Sequence, residues 1–248
     1  MTEQLGEIEK PSAERFVEER KLFFVPLILV PANAEAELRE MVSRYWEQVR
    51  EQIRNLEAKL GDVSQVYHEM IPEGGDTGAR AIQELSSESY DIVKSGLDKG
   101  AALQAIEDSD LLAELMDWSR CLAVGLQNQD VFNKVYGFLA DVERRRNEHI
   151  ARQIDETLSV GKVGMLLMRE GHGVQFASDI QVFYVAPPTL DEVKRWVRGR
   201  QEEVRRETAA KAEASPAGEA GDTGEETTRA ASESEVEVQD RGDVETES

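Results

Sequence analysis

Residues 164–188 read GMLLMREGHGVQFASDIQVFYVAPP. Met165 to Met168 is an apolar run that stops at Arg169-Glu170-Gly171-His172-Gly173, and a second run, Ile180 to Val185, stops at Pro187-Pro188. Short apolar runs closed off by glycine and proline read as buried strands. The spacing therefore predicts a strand over 162–169, a polar tip flanked by glycines, and a strand over 179–186. In α/β proteins such strand ends carry binding and catalytic groups.

The rest of the chain extends this pattern. Leu22 to Val30 reads as a strand buried on both faces, although Pro26 cannot donate to a ladder. Leu38, Met41, Val42, Tyr45, Trp46, Val49, Ile53 and Leu56 recur at helical spacing within 34–60, and Gly61 closes that helix. Val63 to Ile71 is the next strand, ending in His68-Glu69. A loop at 72–78 leads to a helix over 79–95, and Ala101 to Ile106 is a weaker strand that stops at Glu107-Asp108. Asp108-Ser109-Asp110 supplies a cap for a helix over 110–126. Helix then fills 129–159, and a last helix covers 189–206.

Strands alternating with helices predict an α/β fold, a mostly parallel sheet flanked by helices. The expected organisation is a polar arm at 1–20, a single α/β domain at 21–206, and a disordered acidic C-terminal tail at 207–248. That tail has no aromatic residue, leucine or isoleucine, so it has little with which to build a core.

The 248 residues carry 29 basic and 50 acidic side chains, a net charge of -21. The tail contributes 13 acidic residues against 3 basic ones. Such a chain repels polyanions, so nucleic acid is not an expected partner. The longest apolar run, Leu22 to Pro31, is too short to span a bilayer, which argues against a membrane partner. A single cysteine, Cys121, excludes an internal disulfide framework. With an acidic start and no apolar leader, the expected location is cytoplasmic.

Polar groups recur where apolar strands end: His68-Glu69, Glu107-Asp108, and Glu170 with His172. The carboxyl ends of parallel strands share one sheet edge, so these groups can converge. Carboxylates and imidazoles together bind divalent metals or carry out acid–base chemistry. The opposing reading is that strands in an acidic chain simply end on acidic residues. A further misfit lies in the helix at 129–159. Its apolar stripe runs Val135, Leu139, Val142, Ile150, Ile154, and Arg146 stands where a hydrophobe belongs. A charged arginine on a buried face needs an anionic partner, either those carboxylates or a small anionic ligand. At the helix edge it would instead snorkel into solvent. His149 reads as a structural or exposed side chain.

Other features read as structural. Gly74-Gly75-Asp76-Thr77-Gly78 before a helix resembles a phosphate cradle but lacks the lysine and the glycine frame, and a plain loop or lid fits it better. Glu114, Asp117, Trp118 and Arg120 suit ion pairs on a solvated helix face. Cys121 reads as packed, and the basic residues of 194–206 are interleaved with glutamates rather than forming a nucleic-acid patch.

Several of these segments together resemble the TraB/ChaN/erythromycin-esterase-like superfamily. They are Arg146-Asn147 on a helix with Ile150 and Ile154, a Gly161 turn, an apolar strand with Gly171-His172 at its tip, and an earlier strand ending in Val66-Tyr67-His68-Glu69. The resemblance covers residues 63–186. It implies an α/β fold and a relation to metal-dependent hydrolases, with Glu69, Glu107 and His172 contacting a divalent metal. It also implies catalytic roles for Glu170, His172 and Arg146. The chain departs from the family at the first strand, where the expected histidine element is replaced by Ala32-Asn33-Ala34. Either His68 substitutes for it or the ancestral chemistry is lost. Two functions follow as expectations: a hydrolase-like enzyme, or a non-catalytic module that binds a ligand or another protein.

Overall fold

The structure is a computed structural model and describes residues 19–31 and 33–214, with side chains described to residue 207. Most of the expected arm and most of the expected tail lie outside these residues.

Five strands form one sheet: β1 (Arg20–Pro26), β2 (Val63–His68), β3 (Ala102–Gln104), β4 (Val163–Met168) and β5 (Ile180–Tyr184). Their order is β3-β2-β4-β1-β5 and every pairing is parallel. The helices are α1 (Ala36–Leu60), α2 (Gly75–Leu85), α3 (Ser87–Leu97), α4 (Ser109–Ala123), α5 (Gln129–Thr157) and α6 (Pro188–Ala214). This is the expected α/β sheet flanked by helices. No described helix is long and apolar enough to cross a membrane.

The period-two alternation of β1 divides the core. Phe23 and Val25 pack with Val42, Tyr45 and Val49 of α1, with α3 and with Leu190 and Val193 of α6. Leu22 and Phe24 face the other way, onto Ile150 and Ile154 of α5. Residues 169–179, which join β4 to β5, contribute Val174 to this second face. The expected pair of strands around the polar tip is therefore not a neighbouring pair, because β1 lies between β4 and β5 and the tip crosses over it.

Several element limits differ from expectation for local reasons. The first strand begins at Arg20 and ends at Pro26 rather than spanning 22–30. Pro26 pairs with Met168 at the end of the ladder, and the last sheet bond runs from the Leu27 N–H to the Met168 carbonyl. The helix expected over 79–95 is two helices. Ser86 separates them and caps α3, its Oγ accepting from the Ser89 N–H at 3.2 Å. The supposed glycine loop is largely the first turn of α2, which starts at Gly75. A Cβ at Gly78 would fall 2.1 Å from the Glu73 carbonyl oxygen, so close approach explains that glycine without any phosphate. The cap on α4 matches expectation, with Asp108 accepting from the Asp110 and Leu111 N–H groups.

Candidate functional site

The carboxyl edge of the sheet parts on both sides of β4. The chain leaves β1 and β2 for helices on the α1 face, whereas it leaves β4 for the α5 face. Reversals of this kind open a crevice beyond the strand ends.

Strand alternation decides which groups enter it. Val66 belongs to the α1 face and Tyr67 to the α5 face. His68 therefore returns to the α1 side and Glu69 projects toward α5. His68 is 1 % exposed, with Nδ1 2.6 Å from the Glu69 carbonyl and Nε2 3.3 Å from the Ser89 hydroxyl of α3. Burial pushes its pKa down, outweighing the carboxylates nearby. His68 thus packs against α3, on the side of the sheet away from Glu69.

Glu69 and Glu107 do converge, and the group between them is Arg146. Its Nε donates to Glu107 Oε2 at 2.8 Å, and its Nη2 donates to Glu107 Oε1 and, at 3.1 Å, to Glu69 Oε1. All three side chains are dry, with relative exposures of 6 % for Arg146, 2 % for Glu69 and 0 % for Glu107. The misfit in the α5 stripe is therefore a buried ion pair and not a snorkelling side chain. Desolvation opposes the charge on Arg146, but the bonds and charges of Glu107 and Glu69 prevail and raise its pKa.

A second guanidinium, Arg169, completes the arrangement. Its backbone N–H donates to Glu69 Oε2 at 2.8 Å, and its Nε and Nη2 reach Glu69 Oε1 at 3.0 and 2.9 Å. Burial alone would raise the Glu69 pKa. The Arg169 bonds, followed by the charges of Arg169 and Arg146, overcome this and hold Glu69 below the usual carboxylate range. Glu107 also accepts the Met70 N–H at 2.9 Å. Met70 has φ 72, a left-handed conformation uncommon for a non-glycine residue and costing of order 1–3 kcal/mol. The Glu107 carboxylate thus holds the turn that ends β2.

Glu170 and His172 line the same cleft but do not join the carboxylate pair. Glu170 takes the hydroxyl of Tyr184 on β5 and Lys194 Nζ of α6 at 2.7 Å. Burial, then the bond that its hydroxyl donates to Glu170, raises the Tyr184 pKa. The His172 ring lies against Phe24 at 4.9 Å and Phe176 at 5.8 Å between centroids. Its Nδ1 accepts the Val174 N–H at 3.2 Å. Burial lowers its pKa, and the charge of Glu69 offsets this only in part. A neutral ring whose Nδ1 accepts carries its proton on Nε2, so in this tautomer neither nitrogen is free to act as a general base.

The proposed metal donors do not fit a metal. The oxygens of Glu69 and Glu107 are engaged by guanidinium and backbone N–H groups, and the accepting nitrogen of His172 is taken. Among the described residues no three histidine, cysteine, aspartate or glutamate side chains gather as a metal centre would require.

What remains is a cleft of about 230 Å³ beside this cluster, reached by Arg146, Arg169, Asn147, Glu143 and His172. It adjoins a groove of about 550 Å³ along α5, with Glu143, Asn147 and Gly173 common to both. A Cβ at Gly173 would sit 2.8 Å from Asn147 Nδ2, so a side chain here would require the Asn147 amide to move. Sequence reasoning passed over Arg169, Glu143 and the Tyr184–Lys194 pair. The signal for Glu143 was its place one helical turn before Arg146, while Arg169 needed the register of β2 on β4, which places His68 opposite Leu167.

The other candidates are peripheral. His149 pairs with Arg152 at 3.1 Å, and Arg120 pairs with Asp117 at 2.9 Å on the surface. Glu114 bridges to Arg145 of α5 at 2.8 Å, and Cys121 is half-buried.

No family model, curated protein or solved structure matches this chain.

Proposed function

We propose that this chain binds a small anionic ligand in the cleft at the carboxyl ends of β2 and β4, without a metal. The observation that carries this reading is the buried Arg146. Nε and Nη2 make all its bonds to Glu69 and Glu107, and Nη1 belongs to a residue that lines the cleft. Arg169 adds an outer guanidinium whose side chain is 58 % exposed. Two guanidiniums held rigid by buried carboxylates form a pre-organised receptor for an oxyanion. His172 Nε2 and Asn147 Nδ2 supply further donors.

Support for a superfamily relation is that Glu69, Arg146-Asn147 and Gly171-His172, the segments that carry the resemblance, surround one cleft. Within that relation the reading favours a binding module that has lost the ancestral chemistry over a metal-dependent hydrolase. A metal would have to displace both arginines from the carboxylates.

Titration calorimetry with acetate at low ionic strength tests the proposal. Acetate is expected to bind the full chain, and Arg169→Gln is expected to weaken binding about tenfold, the loss of one charge-assisted pair. Equal affinity in the two proteins would refute it.

A further inference from the structure

Resting on that reading, we propose that the natural ligand is a small aminocarboxylate, its carboxylate on Arg169 and Arg146 and its ammonium on Glu143. The argument begins from the charges around the cleft. Arg146 and Arg169 are matched by Glu69 and Glu107, and Glu170 is matched by Lys194. Along the adjoining groove, Arg144 is matched by Asp141 and Glu148 at 2.8 Å each. The Glu143 carboxylate makes no hydrogen bond or ion pair with any described residue, and Glu143 lies where the cleft meets the groove. Among the described residues lining these two cavities it is the one uncompensated carboxylate.

A second observation supports the cleft as a ligand site. Arg146 is only 5 % exposed, yet it lines the cleft and its Nη1 takes none of the carboxylate bonds. An anion entering here meets two guanidinium edges. It also meets an excess of one negative charge, which opposes a dianion such as phosphate and leaves a free acceptor for a cation. A ligand that brings its own ammonium satisfies both ends. Glu143 and Arg146 are three residues apart on α5, a spacing of about 5–6 Å between Cβ atoms. This neighbouring placement suits a ligand whose ammonium and carboxylate are close, as in a short amino acid.

Calorimetry on the full chain with four probes tests this: butanoate, 4-aminobutanoate, glycine and inorganic phosphate. One of the amino acids is expected to bind about tenfold more tightly than butanoate, the gain of one close ion pair in a partly desolvated cleft. Phosphate is expected to bind no more tightly than butanoate. Glu143→Gln, an exposed substitution that leaves the buried cluster intact, should abolish the amino-group gain and, by removing a negative charge from the cleft, tighten rather than weaken butanoate binding. Equal affinity for butanoate and both amino acids overturns the inference, as does a gain that survives Glu143→Gln. Either result leaves the anion site standing, whereas failure of every carboxylate to bind removes the anion site itself.

Discussion

This sheet holds an arginine between two carboxylates at each of its ends. At the amino end Arg20 reaches Asp155 at 2.7 Å and Asp179 at 2.6 Å, tying α5 to the start of β5. At the carboxyl end Arg146 reaches Glu69 and Glu107. The chemistry is the same but the setting is not. Asp155 and Asp179 are 52 % and 55 % exposed, whereas Glu69 and Glu107 are at 2 % and 0 %. The Arg20 pairs are screened by water and act as a fastener. The Arg146 pairs are dry, have displaced a hydrophobe from a helix stripe, and face a cleft. Such an arrangement is weak evidence for added stability and better evidence for a role beyond it.

The sharpest way to break this contrast is Arg146→Met. Glu107 would then be buried with only the Met70 N–H as a partner, and the expected loss is about 3–5 kcal/mol in urea unfolding. Adding Glu107→Gln should recover part of that loss by removing the stranded charge. A loss under about 1 kcal/mol for Arg146→Met would mean that water already reaches the pair and that the two ends are alike.

The second comparison uses pH. Glu69→Gln is expected to cost roughly 2 kcal/mol at neutral pH, the scale of a charged hydrogen bond. The Glu69 pKa is lowered in the fold. Its contribution is therefore complete above the unfolded value of about 4.3 and is lost as pH falls through the folded value. Wild type and Glu69→Gln should converge in stability on acidification. Asp179, lowered chiefly by its bond from Arg20, should behave in the same direction with a smaller amplitude. A gap between wild type and Glu69→Gln that widens in acid would contradict the burial assigned to the carboxyl-end cluster.

Arg20→Met is expected to cost about 1 kcal/mol, since its carboxylates are solvated when it leaves. A loss as large as that of Arg146→Met would erase the distinction drawn from exposure.

These two ends were unequally legible in the sequence. Arg146 was visible because a helix stripe has a period, and a charge at a stripe position contradicts it. Glu69 and Glu107 were visible because apolar runs stop at them. The parallel sheet followed from alternation of strands and helices. Arg20 gave no such signal, as it stands outside the apolar run that marks the first strand. What binds Arg20, and what binds Glu170, His172 and Arg169, depends on strand order. Nothing local says that β1 separates β4 from β5, so nothing local brings Phe24 against His172 or Tyr184 against Glu170. The same limit governs the metal expectation. Donor types were right for a metal, but neutralisation by Arg146 and Arg169 is a fact of register and helix docking.

The smallest effect on stability is expected for Arg169→Gln, and it is the most telling one. Arg169 contacts Glu69 through its side chain and its backbone N–H, and the backbone bond survives the substitution. Its side chain is more than half exposed, so the loss should stay below about 1 kcal/mol. Glu69 keeps Arg146, and the buried pair remains neutralised. Acetate binding, by contrast, should fall about tenfold, because the outer guanidinium is the part of the receptor that an entering anion meets first. A fastener loses stability and leaves binding unchanged, as Arg20→Met should. Loss of binding with stability nearly intact would identify the carboxyl end as a receptor, and a large stability loss with unchanged binding would reduce it to a second fastener.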